Sequence, residues 1–283
     1  MVRTARTDSN HAVNSVLERW RHDPRISKLQ WKDLILLKPW QVAYEVLISL
    51  PWLVIEFWLL HEGSFALASL ASFFFFLTAL RQVHGAFHFT LGIPRRWSNW
   101  FLVLYSGLML GSLHAVRINH LRHHRHCLDP VLDIEGSCAR MTAWSAIAYG
   151  PCFPFRLHRE AFKLGSTQER RLIAAELALN CVVVMLAVAF LVLHSSPVLL
   201  THVGLMALAQ CLTAFFAVWT VHHDCGGEVF ARTQRGWFKN LISYDMFYHV
   251  EHHLFPAVPQ QHLPQLAERL DKVLPELTSR RVF

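Results

Sequence analysis

The chain has 283 residues, of which 53% are hydrophobic and 17% charged, with 20 Phe and 10 Trp. A soluble domain carries roughly a quarter charged residues, so this sequence is short of polar surface to face water and reads as a membrane protein. Its formal net charge is +7, and because no nucleic-acid-binding motif accompanies that basicity, nucleic acid is excluded as a partner.

Taken in order, residues 1–40 are polar and basic without an apolar core, which predicts a cytoplasmic N-terminal segment and no cleavable signal peptide. Met1–Asn10 is expected to be disordered. From His11 to Lys38, Val13, Val16, Leu17 and Trp20 recur at helical spacing with arginines between them, predicting an interfacial helix. Residues 41–283 read as one membrane domain, since apolar runs and histidines interleave throughout. Four stretches approach the roughly 20 residues that a spanning helix needs: Gln41–Leu60, Ser64–Val83, Leu172–Leu193 and Pro197–Val221. The joins at His61-Glu62-Gly63 and His194-Ser195-Ser196 are short enough to predict two antiparallel hairpins, with Pro197 suited to a first helical turn.

Between the hairpins, Trp100–Leu113 is apolar but too short to cross at about 1.5 Å per residue, and is expected to dip into the cytoplasmic leaflet and return. Pro130, Gly136, Pro151, Pro154 and Gly165 divide the following segment into short helices. Gln265–Leu274 predicts a surface helix with Leu266, Leu270 and Leu274 on one face.

Eight Lys and Arg precede Gln41, twelve lie from Arg81 to Arg171 and seven follow Val221, which accounts for all 27. Both termini and the central segment are therefore assigned to the cytoplasm. The expected architecture is an all-α integral membrane fold, with four transmembrane helices as two hairpins and a cytoplasmic helical cap holding the functional site. The basic face would meet anionic headgroups or an acidic partner protein. The six cysteines form no CxxC pair and read as free thiols; Cys127 alone lies close to a histidine cluster.

Three of those clusters stand out: His84-Gly-Ala-Phe-His88, His120-Leu-Arg-His123-His124 and His249-Val-Glu-His252-His253. Spacings of three and four put each set on one helix face, and the expected topology brings all three to one depth. Burying that many imidazoles is costly unless something satisfies them, and neutral imidazole is the commonest metal ligand. His222-His223, at the end of the fourth stretch, adds one more. Nine imidazoles exceed a four-coordinate shell, so two metal ions are expected, drawn from iron, zinc, copper or nickel. Glu251, Asp224, Asp129, Asp133 and Glu135 are candidates for hydrogen bonding to the ligand imidazoles, while helix capping or pairing with Arg is as good a reading of the last three. His11, His22, His158 and His262 are read as ordinary polar residues, and His61 and His194 as lying on the far side of the membrane.

With its HxxxH, HxxHH and HxxHH boxes in this order, the sequence resembles the membrane fatty-acid desaturase and hydroxylase superfamily from about Tyr44 to Leu270. Asp133-Ile-Glu-Gly136, Met246-Phe-Tyr248 and Leu254-Phe-Pro256 are similar to segments of its bacterial members. The resemblance implies a histidine-held di-iron site that uses O₂, with His84, His88, His120, His123, His124, His249, His252 and His253 as ligands. It adds His223 as a ninth, with His222 as the alternative. Trp219, or Val218 in that alternative, stands where some animal members have an Asn that holds a metal-bound water.

The implied activity is introduction of a double bond into a fatty acyl chain; the alternative is a hydroxylase or ketolase of a carotenoid, sterol or alkane-like lipid on the same scaffold. A membrane metal carrier or receptor without enzymatic activity is the third reading. Lacking a His-Pro-Gly-Gly heme signature or a Cys₄ iron–sulfur pattern, the chain is expected to draw electrons from an external ferredoxin or from cytochrome b5 with its reductase. The substrate should enter from the membrane, and Phe73–Phe76, Phe87, Phe89, Trp97, Trp100 and Phe101 are candidates for lining its path, with helix packing or lipid contact the commoner role for each.

Overall fold

A computed structural model describes residues 16–278 and 281–282. Their regular elements are helices, beside two isolated bridge pairs, Gly226 with Val229 and Thr233 with Arg281. In chain order the α-helices are α1 (Val16–Arg21), α2 (Pro24–Ser27), α3 (Pro39–Leu47), α4 (Leu50–His61), α5 (Phe65–Phe87), α6 (Arg95–Met109), α7 (Leu113–His126) and α8 (Ala143–Tyr149). They continue with α9 (Phe153–Leu164), α10 (Thr167–His194), α11 (Val198–Cys211), α12 (Thr220–His222), α13 (Trp237–Ile242), α14 (His249–Leu254) and α15 (Leu263–Val273).

Four stretches are long and apolar enough to cross a membrane: Pro39–His61, Phe65–Phe87, Thr167–His194 and Val198–His222. Each expected span is present; the first three are a few residues longer than their apolar runs, because helical hydrogen bonding continues into the polar flanks, and the fourth is shifted by one residue. α3 and α4 break at Ile48-Ser49, ahead of Pro51, which has no N–H to bond back along the helix. α10 opens on a capping box, in which Glu169 N–H donates to Ser166 Oγ and Ser166 N–H to Glu169 Oε2, and closes on Ser195 in the left-handed region. Only 6% of the most apolar window of α10 is buried, and Met185, Leu186, Val192 and Leu193 face outwards. A long helix apolar all round and this bare is stable only in apolar surroundings.

The short apolar stretch expected to dip is the bent pair α6 and α7, which meet at 113° across Leu110, a left-handed residue, and Gly111. The turn frees the first N–H groups of α7. Glu176 of α10 accepts from the His114 N–H and from Ser112 Oγ–H, and its other oxygen lies 2.6 Å from His114 Nδ1. One buried carboxylate thus fixes the direction in which the helix carrying the second histidine cluster sets out.

The chain divides into two compact units, each assembled from separated segments. One comprises Lys38–Ile118 and Gly150–Thr213. Its core joins Phe75, Ala79, Val83 and Phe87 of α5 to Leu102, Tyr105 and Met109 of α6 and to Met206 of α11. Gly150 is required there, since a Cβ would sit 1.7 Å from the Cys211 carbonyl oxygen. Phe75, Phe76, Phe87 and Phe101 belong to this core, while Phe73, Trp97 and Trp100 face outwards.

The other unit holds the described residues up to Leu37, Asn119–Tyr149 and those from Ala214 onward. Its core gathers Leu17, Ile26, Leu34, Phe230, Val250, Leu254, Phe255, Leu263, Leu266 and Leu270. The expected surface helix is α15, with Leu263, Leu266, Ala267 and Leu270 turned inwards. Of the interfacial helix expected from His11 to Lys38, the part before Val16, including Val13, lies outside the described residues. The remainder breaks at Asp23-Pro24, where Asp23 stops α1 and caps α2 through the Arg25 N–H. Leu17 is buried, and Val16 and Trp20 pack on the same core, so this apolar face is committed to protein.

Asp33 is held below the ordinary carboxylate range by hydrogen bonds from Arg269. Asp271 is held below it against burial, by hydrogen bonds from Arg235 and Thr278. A carboxyl with a depressed folded pKa stabilises the fold above its unfolded value, and that contribution is lost as pH falls through the folded value. Thermal melting should therefore drop on acidification below about pH 4, and Asp33→Asn should flatten that acid limb. An equally steep limb in the variant would remove Asp33 from the linkage.

Candidate metal centre

Helical periodicity brings His120, His123 and His124 together on α7 and His249, His252 and His253 on α14, all six buried in one unit. His120, His124 and His252 form one group in which the ligand nitrogens lie within 4.8 Å of one another. His123, His222 and His253 form a second, with the Cys127 sulfur inside the same limit. His249 joins the second group, its Nε2 standing 2.9 Å from that of His222 and 3.0 Å from that of His253.

His222 also faces His123 at 3.0 Å between Nε2 atoms, and His124 faces His252 at the same distance. The opposite nitrogens of several rings are already committed. His222 Nδ1 is 2.9 Å from the Phe230 carbonyl oxygen, which can only accept, so this nitrogen carries the proton. His123 Nδ1 lies 2.7 Å from Asp133 Oδ2 and His120 Nδ1 lies 2.8 Å from Glu135 Oε1. In the neutral ring a proton on Nδ1 leaves Nε2 bare, and bare nitrogens facing one another out of water repel unless a cation lies between them. Nitrogens about 2.0–2.1 Å from one ion stand roughly 3 Å apart when they bind at right angles. The residues present therefore fit metal ions, and burial followed by the neighbouring imidazoles holds His253 well below its ordinary pKa, in the ligating neutral form.

Two expected imidazole partners, Asp133 and Glu135, occupy that role. Asp133 is organised by the motif it belongs to: its Oδ1 accepts from the Gly136 N–H at 2.7 Å and its Oδ2 from the Leu128 N–H at 2.8 Å. A Cβ on residue 136 would lie 2.2 Å from Asp133 Oδ2, so glycine is what lets the carboxylate close on its own backbone and still reach His123. Asp129 instead accepts from the Val131 and Leu132 N–H groups and closes a turn, neither bonding an imidazole nor capping a helix. Glu251 and Asp224 do not bond imidazoles. Glu251 pairs with Arg235 and Thr233, and Asp224 is an exposed partner of Arg232.

For the ninth histidine the sequence left His223 and, as its alternative, His222. The structure turns His222 into the group, while His223 stacks on Trp219 with ring centroids 4.1 Å apart and its Nδ1 hydrogen-bonds to the Trp219 carbonyl. A π-helical turn, Ala214–Trp219, lies directly ahead of α12. His84 and His88 belong to the other unit, at the end of α5, half-buried and 5.4 Å apart between ring centroids. Of the histidines read as ordinary, His158 bonds the Pro154 carbonyl and the Ser112 N–H, and His262 the Leu34 carbonyl. Burial first, then Asp133, pushes the Cys127 thiol well above its ordinary pKa, and its sulfur lies 3.8 Å from the Phe230 carbonyl oxygen.

An all-α chain with four membrane-capable helices and buried, paired imidazoles is the framework of a membrane metalloenzyme. The sequence model of the fatty acid desaturase family matches residues 63–282, and the chain belongs to that enzyme family. No curated protein matches it. It is an integral membrane enzyme acting on lipid.

His222→Ala should lower bound metal by about one equivalent, whereas His223→Ala should leave metal content unchanged, as read by elemental analysis of purified protein. Gly136→Ala should displace Asp133 and weaken metal binding roughly 10- to 100-fold, the usual consequence of losing a partner that orients a ligand. Unchanged affinity would detach Asp133 from the centre.

Proposed function

We propose that this enzyme introduces a double bond into a fatty acyl chain, using O₂ at a di-iron site. The observation that carries the reading is the convergence of buried imidazole Nε2 atoms at 2.9–3.0 Å, with the Nδ1 atoms of His123 and His222 tied to acceptors. The proposed ligands are His120, His124 and His252 on one ion and His123, His222, His249 and His253 on the other, with His84 and His88 completing the first set through the resemblance of their HxxxH box.

With iron bound, the centre would supply reductive O₂ activation, the chemistry needed to remove hydrogen from unactivated C–H bonds. The balance is one O₂, two electrons and two protons, with two hydrogens leaving adjacent carbons, to give one alkene and two waters. The chain's own residues hold the imidazoles in one tautomer: Asp133 and Glu135 fix His123 and His120, and the Phe230 carbonyl fixes His222. Burial of the six imidazoles on α7 and α14 excludes bulk water from the site. In the proposed topology the four spans form two hairpins, and all 27 Lys and Arg lie on the cytoplasmic side with both termini and the metal centre. Because the chain has no heme or iron–sulfur motif, an external ferredoxin or cytochrome b5 system would deliver the two electrons to that basic face.

Purified enzyme given iron, O₂, an acyl substrate and a reduced carrier should yield a product lacking two hydrogens, resolved by mass spectrometry. Gain of one oxygen would favour a hydroxylase instead, and absence of O₂ uptake with any reductant would remove the enzyme from O₂ chemistry. At limiting carrier the rate should fall with added salt, since exposed charge pairs are screened over about 8 Å at physiological ionic strength.

A further inference from the structure

The third histidine box contains a buried carboxylate that bonds no imidazole. Glu251 lies between His249 and His252 on α14, fully buried, and helical geometry puts it on the face turned away from the histidines, about 200° around from His249. Its Oε2 accepts from Thr233 Oγ1 at 2.7 Å and its Oε1 accepts from Arg235 Nη2. Arg235 reaches further. Its Nε and Nη2 grip Asp271 of α15 at 2.8 and 2.9 Å, and its Nη1 donates to Thr233 Oγ1 at 2.7 Å and to the Gln234 carbonyl at 3.2 Å.

A guanidinium has five N–H donors in a fixed plane. Here each meets an acceptor: two on Asp271, one on Glu251, one on Thr233 and one on the Gln234 backbone. The same group lies 5.5 Å from the ring centroid of Tyr248, the residue that precedes α14. Burial works against the charge, but the Asp271 hydrogen bonds and Glu251 hold Arg235 above its ordinary pKa, so the fork stays charged. A lysine offers three donors from one point and cannot reproduce the arrangement.

We propose that Arg235 is a positioning residue for the metal centre. It locks α14 against α15 from the side opposite the ligands and so sets where His249, His252 and His253 stand. The proposal rests on the metal reading of these histidines. Because both ligand groups draw on α14, loosening this clamp weakens both.

The test is cobalt(II) titration of the metal-free, full-length protein in detergent, followed by calorimetry and by the ligand-field absorption of the bound ion, with helicity checked for each variant. Arg235→Met should weaken binding roughly 10- to 100-fold and alter the cobalt spectrum. Arg235→Lys, which keeps the charge but loses the fork, should fall in between. Asp33→Asn serves as the control, since it loosens the surface tie that α15 makes to Asp33 through Arg269 without touching α14. It should lower the melting temperature and leave cobalt affinity and spectrum unchanged. Wild-type affinity and spectrum in Arg235→Lys, or an equal loss in Asp33→Asn, would overturn the positioning role and leave only a stabilising one. If Arg235→Met fails to fold, Arg235→Lys and the control decide the matter. Failure of the wild type to take up two equivalents would instead refute the metal reading.

Discussion

Bare imidazole nitrogens held about 3 Å apart in a buried space are the constraint around which much of this molecule is organised. Such an arrangement is unfavourable unless a cation occupies it, so the fold must both force the rings together and dictate which nitrogen faces inwards. It does so with acceptors placed behind the rings. The Phe230 carbonyl leaves His222 no choice of tautomer, and Asp133 and Glu135 act likewise on His123 and His120. Those acceptors need fixing in turn. Asp133 is fixed by two backbone N–H groups and by the space that only a glycine at 136 leaves open, so a four-residue motif in sequence is one hydrogen-bonding device in space.

The membrane-capable helices face the opposite problem, since their outer surface meets an apolar medium and their polar groups must be satisfied by protein. Glu45 and Arg81 pair with both side chains buried, Nη2 to Oε1 at 2.8 Å. Gln82 donates to the Glu45 carbonyl and accepts from the Tyr105 hydroxyl, which lies 2.7 Å from Ser49 Oγ. His202 meets Glu56 through Nδ1 and the Leu108 carbonyl through Nε2. These contacts tie α3, α4, α5, α6 and α11 through geometry, where apolar attraction between helices in lipid supplies little.

Much of this was legible in the sequence because it is periodic. Apolar runs located all four membrane-capable stretches, and spacings of three and four located the clusters on α7 and α14. The resemblance favoured His223 as the ninth histidine, whereas the ring that stands 2.9 Å from His249 is that of His222. Proximity in sequence failed for Glu251, since a residue between two ligands on a helix points away from them, and for Asp224, which lies beyond the end of α12 and pairs with Arg232. Division into two units was hidden for another reason. The chain leaves and re-enters each one, so the core of one joins residues as distant as Leu17 and Leu277 with no composition shift to mark it.

Opposed faces of a single short helix carry the remaining logic. α14 spans six residues and would have little stability alone. On one face it bears three imidazoles of the candidate metal centre, and on the other a buried carboxylate that would be costly without Arg235. Its inward apolar residues, Val250 and Leu254, join the core with α15. On the proposed reading, metal on one side and guanidinium on the other bind only the folded arrangement, so each contributes to the stability of the same six residues. The helix is then ordered by what it holds, and its ligand geometry follows from groups that never touch the metal.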